Sequence, residues 1–197
     1  MTREVRTVGV VGTGVIGAGW AALCLSRGLD VLAHDPGSDA EQRLRHGVED
    51  AWPTLARLGL AEGASPDRLT FVATAADAVA EADFVQESGP EAESLKSALI
   101  RELDEAAAPD VPIASSSSGL MPSRLQEMCL HHPERVLVGH PFHPVHLIPL
   151  VEVVAGQRSS AGTVDRAVGF YAGLGKRPVV VRREVPGHVA KIGRAHV

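Results

Sequence analysis

Gly12-Thr13-Gly14-Val15-Ile16-Gly17 separates two stretches of opposite character. Before it, Val5 to Val11 is a valine-rich apolar run bounded by glycine, the pattern of a buried strand. After it, Val15 to Arg27 carries apolar residues at helical spacing and ends at Gly28, a residue suited to close a helix. Asp30 to His34 is a second apolar run, stopped by Asp35-Pro36-Gly37. Strand, helix and strand in this compass form the unit of a parallel sheet. The glycine pattern G-x-G-x-x-G at the first turn has two readings. One is a tight structural turn. The other is a phosphate cradle: Gly12 makes the turn, Gly14 admits a pyrophosphate close to the backbone, and Gly17 lets helix pack on strand. The N–H groups of Val15 and Ile16 at the helix start then meet the phosphate charge. Asp35 favours the cradle, because it lies 23 residues past Gly12 at the end of the second strand. A carboxylate there accepts from both ribose hydroxyls and repels a 2′-phosphate, so NAD is expected over NADP.

The alternation continues down the chain. Ala40 to Leu58 reads as a helix that Pro53 is expected to kink or split. Strands are expected at Leu69 to Ala73, Phe84 to Glu87, Val111 to Ser115, Val136 to Gly139, Leu150 to Val154 and Pro178 to Arg182. Helices are expected at Ala75 to Glu81, Glu91 to Ala107, Arg124 to Cys129 and Val164 to Leu174. The sum is an α/β protein with a Rossmann-type doubly wound, mostly parallel sheet.

Composition narrows the function. With 45% hydrophobic and 22% charged residues the chain belongs with ordinary soluble globular domains. A formal net charge of −5 gives no basic footprint for nucleic acid or an anionic membrane, so neither is an expected partner. Two isolated cysteines, Cys24 and Cys129, imply free buried thiols in a reducing compartment, with neither a disulfide framework nor a metal site. The apolar runs are too short to span a membrane and the first residues lack a signal-peptide core, which points to the cytoplasm.

The chemistry sits further along. Gly139-His140-Pro141-Phe142-His143-Pro144 is followed by Leu150-Val151-Glu152-Val153-Val154. A histidine at a strand end is structural or solvated in most proteins. Here His140 follows an apolar strand, where open α/β sheets place ligands. Glu152 lies among valines and needs a partner if buried. A histidine held by a carboxylate is a general base, because the carboxylate fixes the tautomer and stabilises the imidazolium.

These motifs together resemble the 3-hydroxyacyl-CoA dehydrogenase family over nearly all of residues 5–190. The resemblance implies an NAD-dependent oxidation of a 3-hydroxyl. It assigns proton transfer to the pair His140 and Glu152, twelve residues apart as in the family. It places Ser118, within Ala114-Ser115-Ser116-Ser117-Ser118-Gly119-Leu120, as the serine that hydrogen-bonds the substrate's 3-oxygen, with the adjacent serines as alternatives one position away. It matches Glu91 and Lys96 to a pair that touches the cofactor near the nicotinamide ribose. From the residues alone, Glu91 reads as a helix-start carboxylate and Lys96 as a solvated charge. Val85-Gln86-Glu87-Ser88, Ser118-Gly119-Leu120-Met121-Pro122-Ser123 and Ile148-Pro149-Leu150-Val151-Glu152 are similar to the branch that oxidises L-carnitine. They are less similar to the L-gulonate (lambda-crystallin) branch. His131-His132-Pro133-Glu134-Arg135 also fits the carnitine branch, and as plain sequence it is a polar loop. The expected substrate is therefore a small 3-hydroxy acid, with L-carnitine first.

There are departures. His143 stands where the family usually has asparagine, and His146 where it often has an aromatic. A histidine so near the base perturbs it or binds a different substrate group. Glu184-Val185-Pro186-Gly187-His188-Val189-Ala190 resembles the start of the family's helical C-terminal domain, after which an asparagine is implied but Lys191 stands. Lys191-Ile192-Gly193-Arg194-Ala195-His196-Val197 reads as an artefactual tail. The expected organisation is residues 1–185 as an NAD-binding domain, 186–190 as the start of a second domain that the chain lacks, and 191–197 as that tail. The parent enzyme is expected to be a homodimer through the second domain, and this chain alone to be weakly active or inactive. A 3-hydroxyacyl-CoA substrate is the alternative, disfavoured because residues 39–69 are short and not basic for gripping CoA. A non-catalytic NAD-binding sensor or lens-type structural protein is the other, disfavoured by the intact spacing of His140 and Glu152.

Overall fold

β1 (Thr7–Val11) is buried along all but its first residue and pairs in parallel with β2 (Asp30–His34) on one side and β4 (Phe84–Glu87) on the other. Residues 4–189 are described by the computed structural model. The remaining strands are β3 (Leu69–Phe71), β5 (Ile113–Ser115), β6 (Val136–Pro141), β7 (Leu150–Ala155) and β8 (Arg177–Val181). They form one eight-stranded sheet in the order β3-β2-β1-β4-β5-β6-β7-β8. The chain thus grows the sheet outward from β1 to β3, then returns to the other side of β1 for β4. That reversal opens a crevice at the carboxyl ends of β1 and β4, the place where doubly wound sheets bind ligands.

The helices divide between the faces. α1 (Val15–Ser26), α2 (Ala40–Leu58) and α6 (Ala161–Gly173) cover one, where Trp20, Leu25, Leu44, Phe84, Leu137 and Tyr171 share a core. α3 (Ala75–Val79), α4 (Glu93–Ala106) and α5 (Pro122–Gln126) cover the other, around Val85, Ile100, Leu103, Ile113 and Leu125. α1 is buried at ten successive positions from Gly17 to Ser26, which is why its apolar residues run all round rather than in a stripe. No helix among the described residues is long and apolar enough to cross a membrane.

Several element bounds and details differ from the reading of the sequence. α2 runs through Pro53 without being split. Pro53 and Glu49 lie on its exposed side, opposite the buried Leu44, Val48, Ala51 and Leu55, so water can serve the carbonyl that proline leaves unbonded. β6 continues past Gly139 to Pro141, so His140 is a strand residue rather than one following a strand. α4 starts at Glu93, leaving Glu91 in the preceding loop, and Lys96 on its first turns is only 1% exposed, not solvated. The expected tail at 191–197 and Ala190 lie outside the described residues.

Candidate active site

β6 and β7 are antiparallel, and their register sets His140 directly opposite Glu152. Both are buried, and His140 Nδ1 lies 2.8 Å from Glu152 Oε2. Directly opposed residues on neighbouring strands point to the same face, so the pairing follows from the sheet itself. A carboxylate only accepts, which puts a ring hydrogen on Nδ1 and makes Nε2 the bare nitrogen whenever the ring is neutral. The other oxygen, Oε1, accepts the N–H of Val189 at 3.1 Å. Glu152 therefore fixes the orientation of the His140 ring.

His140 opens onto a cavity of about 250 Å³ that it shares with Ile16, Ser88, Gly89, Glu91, Lys96 and Ser118. β5 ends at Ser115, and the serine run turns there. Ser115 Oγ donates to Glu87 Oε2 at 2.5 Å, and Ser117 Oγ donates to Glu91 Oε1 at 2.6 Å. Ser116 Oγ is engaged by Trp20 Nε1, Gln86 Nε2 and Ser88 Oγ. Of the four serines, Ser116 and Ser118 line the cavity with His140. The Glu91 carboxylate also accepts the N–H groups of Ser118 at 3.1 Å and Gly119 at 2.8 Å. Burial works to raise the Glu91 carboxyl, but the Ser117 hydroxyl, the Lys96 ammonium and the backbone N–H groups outweigh it, and its pKa falls below the usual value.

The Lys96 ammonium stands 3.9 Å from Glu91 Oε2, and both residues line this cavity. Its closer partner went unrecognised. Glu87, fully buried at the end of β4, takes the ammonium on both oxygens at 2.7 and 3.0 Å, and Gly89 O accepts a third bond at 3.0 Å. A buried cation needs such a set, since an unpaired one is costly to desolvate. The signal was present in Glu87, an acid closing an apolar strand. His188 was also missed; it is fully buried, with its ring 5.4 Å from that of His140.

The glycine turn fits a dinucleotide. A Cβ on Gly12 or Gly17 would strike backbone, the first at 2.4 Å from Gly89 N and the second at 1.9 Å from Gly12 O. A Cβ on Gly14 would meet nothing within 4 Å, so that glycine faces open space at the start of α1. Val15 is exposed there and Ile16 lines the His140 cavity. Thr13 Oγ1 is buried with no hydrogen-bond partner among the described residues. Thr13 and Gly14 line a second cavity, of about 460 Å³, together with Arg43, His143 and His146. Asp35 closes the turn by accepting Thr13 N–H at 2.8 Å and Gly37 N–H at 2.9 Å, one on each oxygen. Each oxygen keeps acceptor capacity for a ribose hydroxyl.

Fold and site together define a nucleotide-binding domain of the doubly wound class that carries a buried histidine–glutamate pair beside its crevice. The chain belongs to the 3-hydroxyacyl-CoA dehydrogenase family: that family's NAD-binding domain matches residues 7–185. It is 56% identical over 187 residues to the L-carnitine dehydrogenase of Burkholderia mallei, and 53% identical over 187 residues to that of Pseudomonas putida. Each alignment covers 95% of this chain and 58% of the relative, so the chain spans little more than half of those proteins. Among solved structures, an NAD+-dependent 5-formyl-3-hydroxy-2-methylpyridine 4-carboxylic acid 5-dehydrogenase superposes with a TM-score of 0.89. The two are 33% identical, over 98% of this chain and 62% of the other. The 3-hydroxybutyryl-CoA dehydrogenase of Escherichia coli K12 gives 0.82 at 31% identity, over 90% and 38%.

Proposed function

We propose that this chain is the NAD-binding and catalytic part of an enzyme that oxidises the 3-hydroxyl of a small 3-hydroxy acid, L-carnitine, to the 3-oxo acid. One observation carries the reading: His140, locked as a base by Glu152, opens onto the same cavity as Ser118, Glu91 and Lys96, next to a glycine turn shaped for a dinucleotide. The relatives that share about half of its residues are named for carnitine oxidation. Gly12, Gly14 and Gly17 with the first N–H groups of α1 hold the pyrophosphate, Asp35 takes the adenosine ribose, and Glu91 and Lys96 border the nicotinamide end. NAD, when bound, supplies the hydride acceptor.

The residues of the chain handle the proton. His140 Nε2 accepts the hydroxyl proton while Nδ1–H stays on Glu152, so the positive charge forms beside a carboxylate. Ser118 donates to the substrate oxygen as it becomes a carbonyl. The enzyme works in the cytoplasm, with residues 1–185 as the cofactor unit and 186–190 leading into a helical domain through which two copies pair.

The test is NADH formation by the parent enzyme with L-carnitine, 3-hydroxybutyryl-CoA and L-gulonate in parallel. Turnover of carnitine far above the other two is expected. Activity confined to the CoA ester would move the protein to the acyl-CoA branch. Silence on all three would retain the dinucleotide site and overturn the substrate.

A further inference from the structure

His188 is fully buried and holds a left-handed backbone angle, φ 52°, that L side chains rarely adopt. Its Nε2 lies 2.9 Å from the carbonyl of Ser117. A carbonyl can only accept, so Nε2 carries the hydrogen and Nδ1 is a bare acceptor. That Nδ1 is buried and has no partner among the described residues. The His140 ring is flanked by Phe142 at 5.1 Å and by His188 at 5.4 Å. The next residue, Val189, gives its N–H to Glu152 Oε1. Two consecutive residues thus join two parts of the site that lie on either side of β6: the serine turn after β5 and the carboxylate on β7.

We propose that His188 is a positioning residue for the proton transfer, fixing the turn that carries Ser118 against the His140–Glu152 pair through its Nε2–H bond to Ser117. The inference rests on the reading of His140 as the base. A strained backbone and an unsatisfied buried nitrogen are features that packing alone does not favour, and they gather at functional sites. Burial, aided by the neighbouring His140, keeps the His188 pKa below the ordinary histidine value despite the Ser117 carbonyl. At neutral pH the ring is therefore uncharged and does not oppose the imidazolium that forms on His140.

The parent enzyme carrying His188→Ala or His188→Gln tests this. Glutamine keeps an N–H donor within reach of the Ser117 carbonyl, and alanine does not. In His188→Ala, kcat should fall by about ten- to a hundredfold with little change in KM for NAD, the cost of a misplaced reacting group. His188→Gln should recover most of that loss. An alanine variant within twofold of wild type, or a glutamine variant no better than alanine, overturns the proposal. If the alanine variant does not fold, glutamine alone decides: near-wild-type kcat supports the role and a tenfold loss overturns it. Histidine 1H–15N spectra of the same proteins give a readout that does not depend on the substrate. His188 should show the Nε2–H tautomer, and the His140 signals should move in the alanine variant and return with glutamine. An Nδ1–H tautomer, or unmoved His140 signals, would sink the idea even if carnitine is turned over. Failure of every substrate with the expected spectra would instead leave His188 in place and overturn the function.

Discussion

In the reaction proposed for His140, the proton transfer turns on which ring nitrogen holds the hydrogen. Glu152 decides it from 2.8 Å away, because a carboxylate accepts and never donates. Glu152→Gln keeps the shape but offers either an N–H or an oxygen, so the ring is no longer confined to the tautomer with a bare Nε2. Turnover should drop by about 10²- to 10⁴-fold, the range of losses when a base loses its orienting carboxylate or its own function. His140→Ala should reduce turnover to background. In both, NAD affinity measured by fluorescence titration should stay near wild type, since neither residue belongs to the glycine turn. A parallel loss of NAD binding would show that the pair supports the crevice rather than the reaction. Of these residues, His140 and Glu152 were legible because twelve residues of spacing matched a known pair. Glu87 and His188 were not. The first looked like the end of a strand, and the second owes its position to contacts 71 residues away at Ser117.

The turn between β1 and α1 separates folding from binding within a few residues. Gly17 has no room for a side chain, since its Cβ would fall 1.9 Å from the carbonyl of Gly12. Gly14 has extended backbone angles, φ −62° and ψ −171°, that alanine also adopts, and open space where its Cβ would go. Gly14→Ala should therefore melt close to wild type while losing NAD affinity by about tenfold or more, because the methyl occupies the approach of the pyrophosphate. Gly17→Ala should lower the melting temperature first, as helix and strand are forced apart. Differential scanning fluorimetry beside NAD titration separates the two, and a Gly14→Ala protein with intact affinity would remove the phosphate from this turn. The element order was readable from sequence for a related reason. Buried parallel strands show as short valine runs, and glycine or proline punctuates them. What stayed hidden was direction. Nothing local in Leu150-Val151-Glu152-Val153-Val154 says that β7 runs antiparallel to β6, yet that reversal brings Glu152 to His140.

Across the molecule, the ionisable groups displaced by burial bracket the pH range in which the fold is most stable. On the acid side His146 and His188 have lowered pKa values, mainly through burial. The unfolded chain takes up protons near pH 6.5 where the folded one resists, so stability is lost as pH falls below that value. Glu91 and Asp104 are also lowered, burial notwithstanding, by their hydrogen bonds and by Lys96 and Arg135. Their contribution holds at neutral pH and disappears as pH falls through the folded values, deepening the same loss. On the alkaline side burial raises the thiols of Cys24 and Cys129 from 9.0 to about 12 and also raises Tyr171. The unfolded thiols ionise from about pH 9 while the folded ones cannot, so stability falls above that point. Lys176 works the other way. It is sunk against the Trp20 ring and lowered by burial to about 8, so it adds stability as pH rises from there toward 10.5. One lysine opposes two thiols and a phenol, and the alkaline loss should prevail. Urea midpoints are expected to be highest between about pH 6.5 and 9, lower at pH 5 and lower again at pH 11. Cys24→Ala should flatten the alkaline limb, and Lys176→Met should steepen it by removing the opposing group. A midpoint that kept rising to about pH 11 in the wild type would mean that the thiols ionise in place and are not sealed in the core.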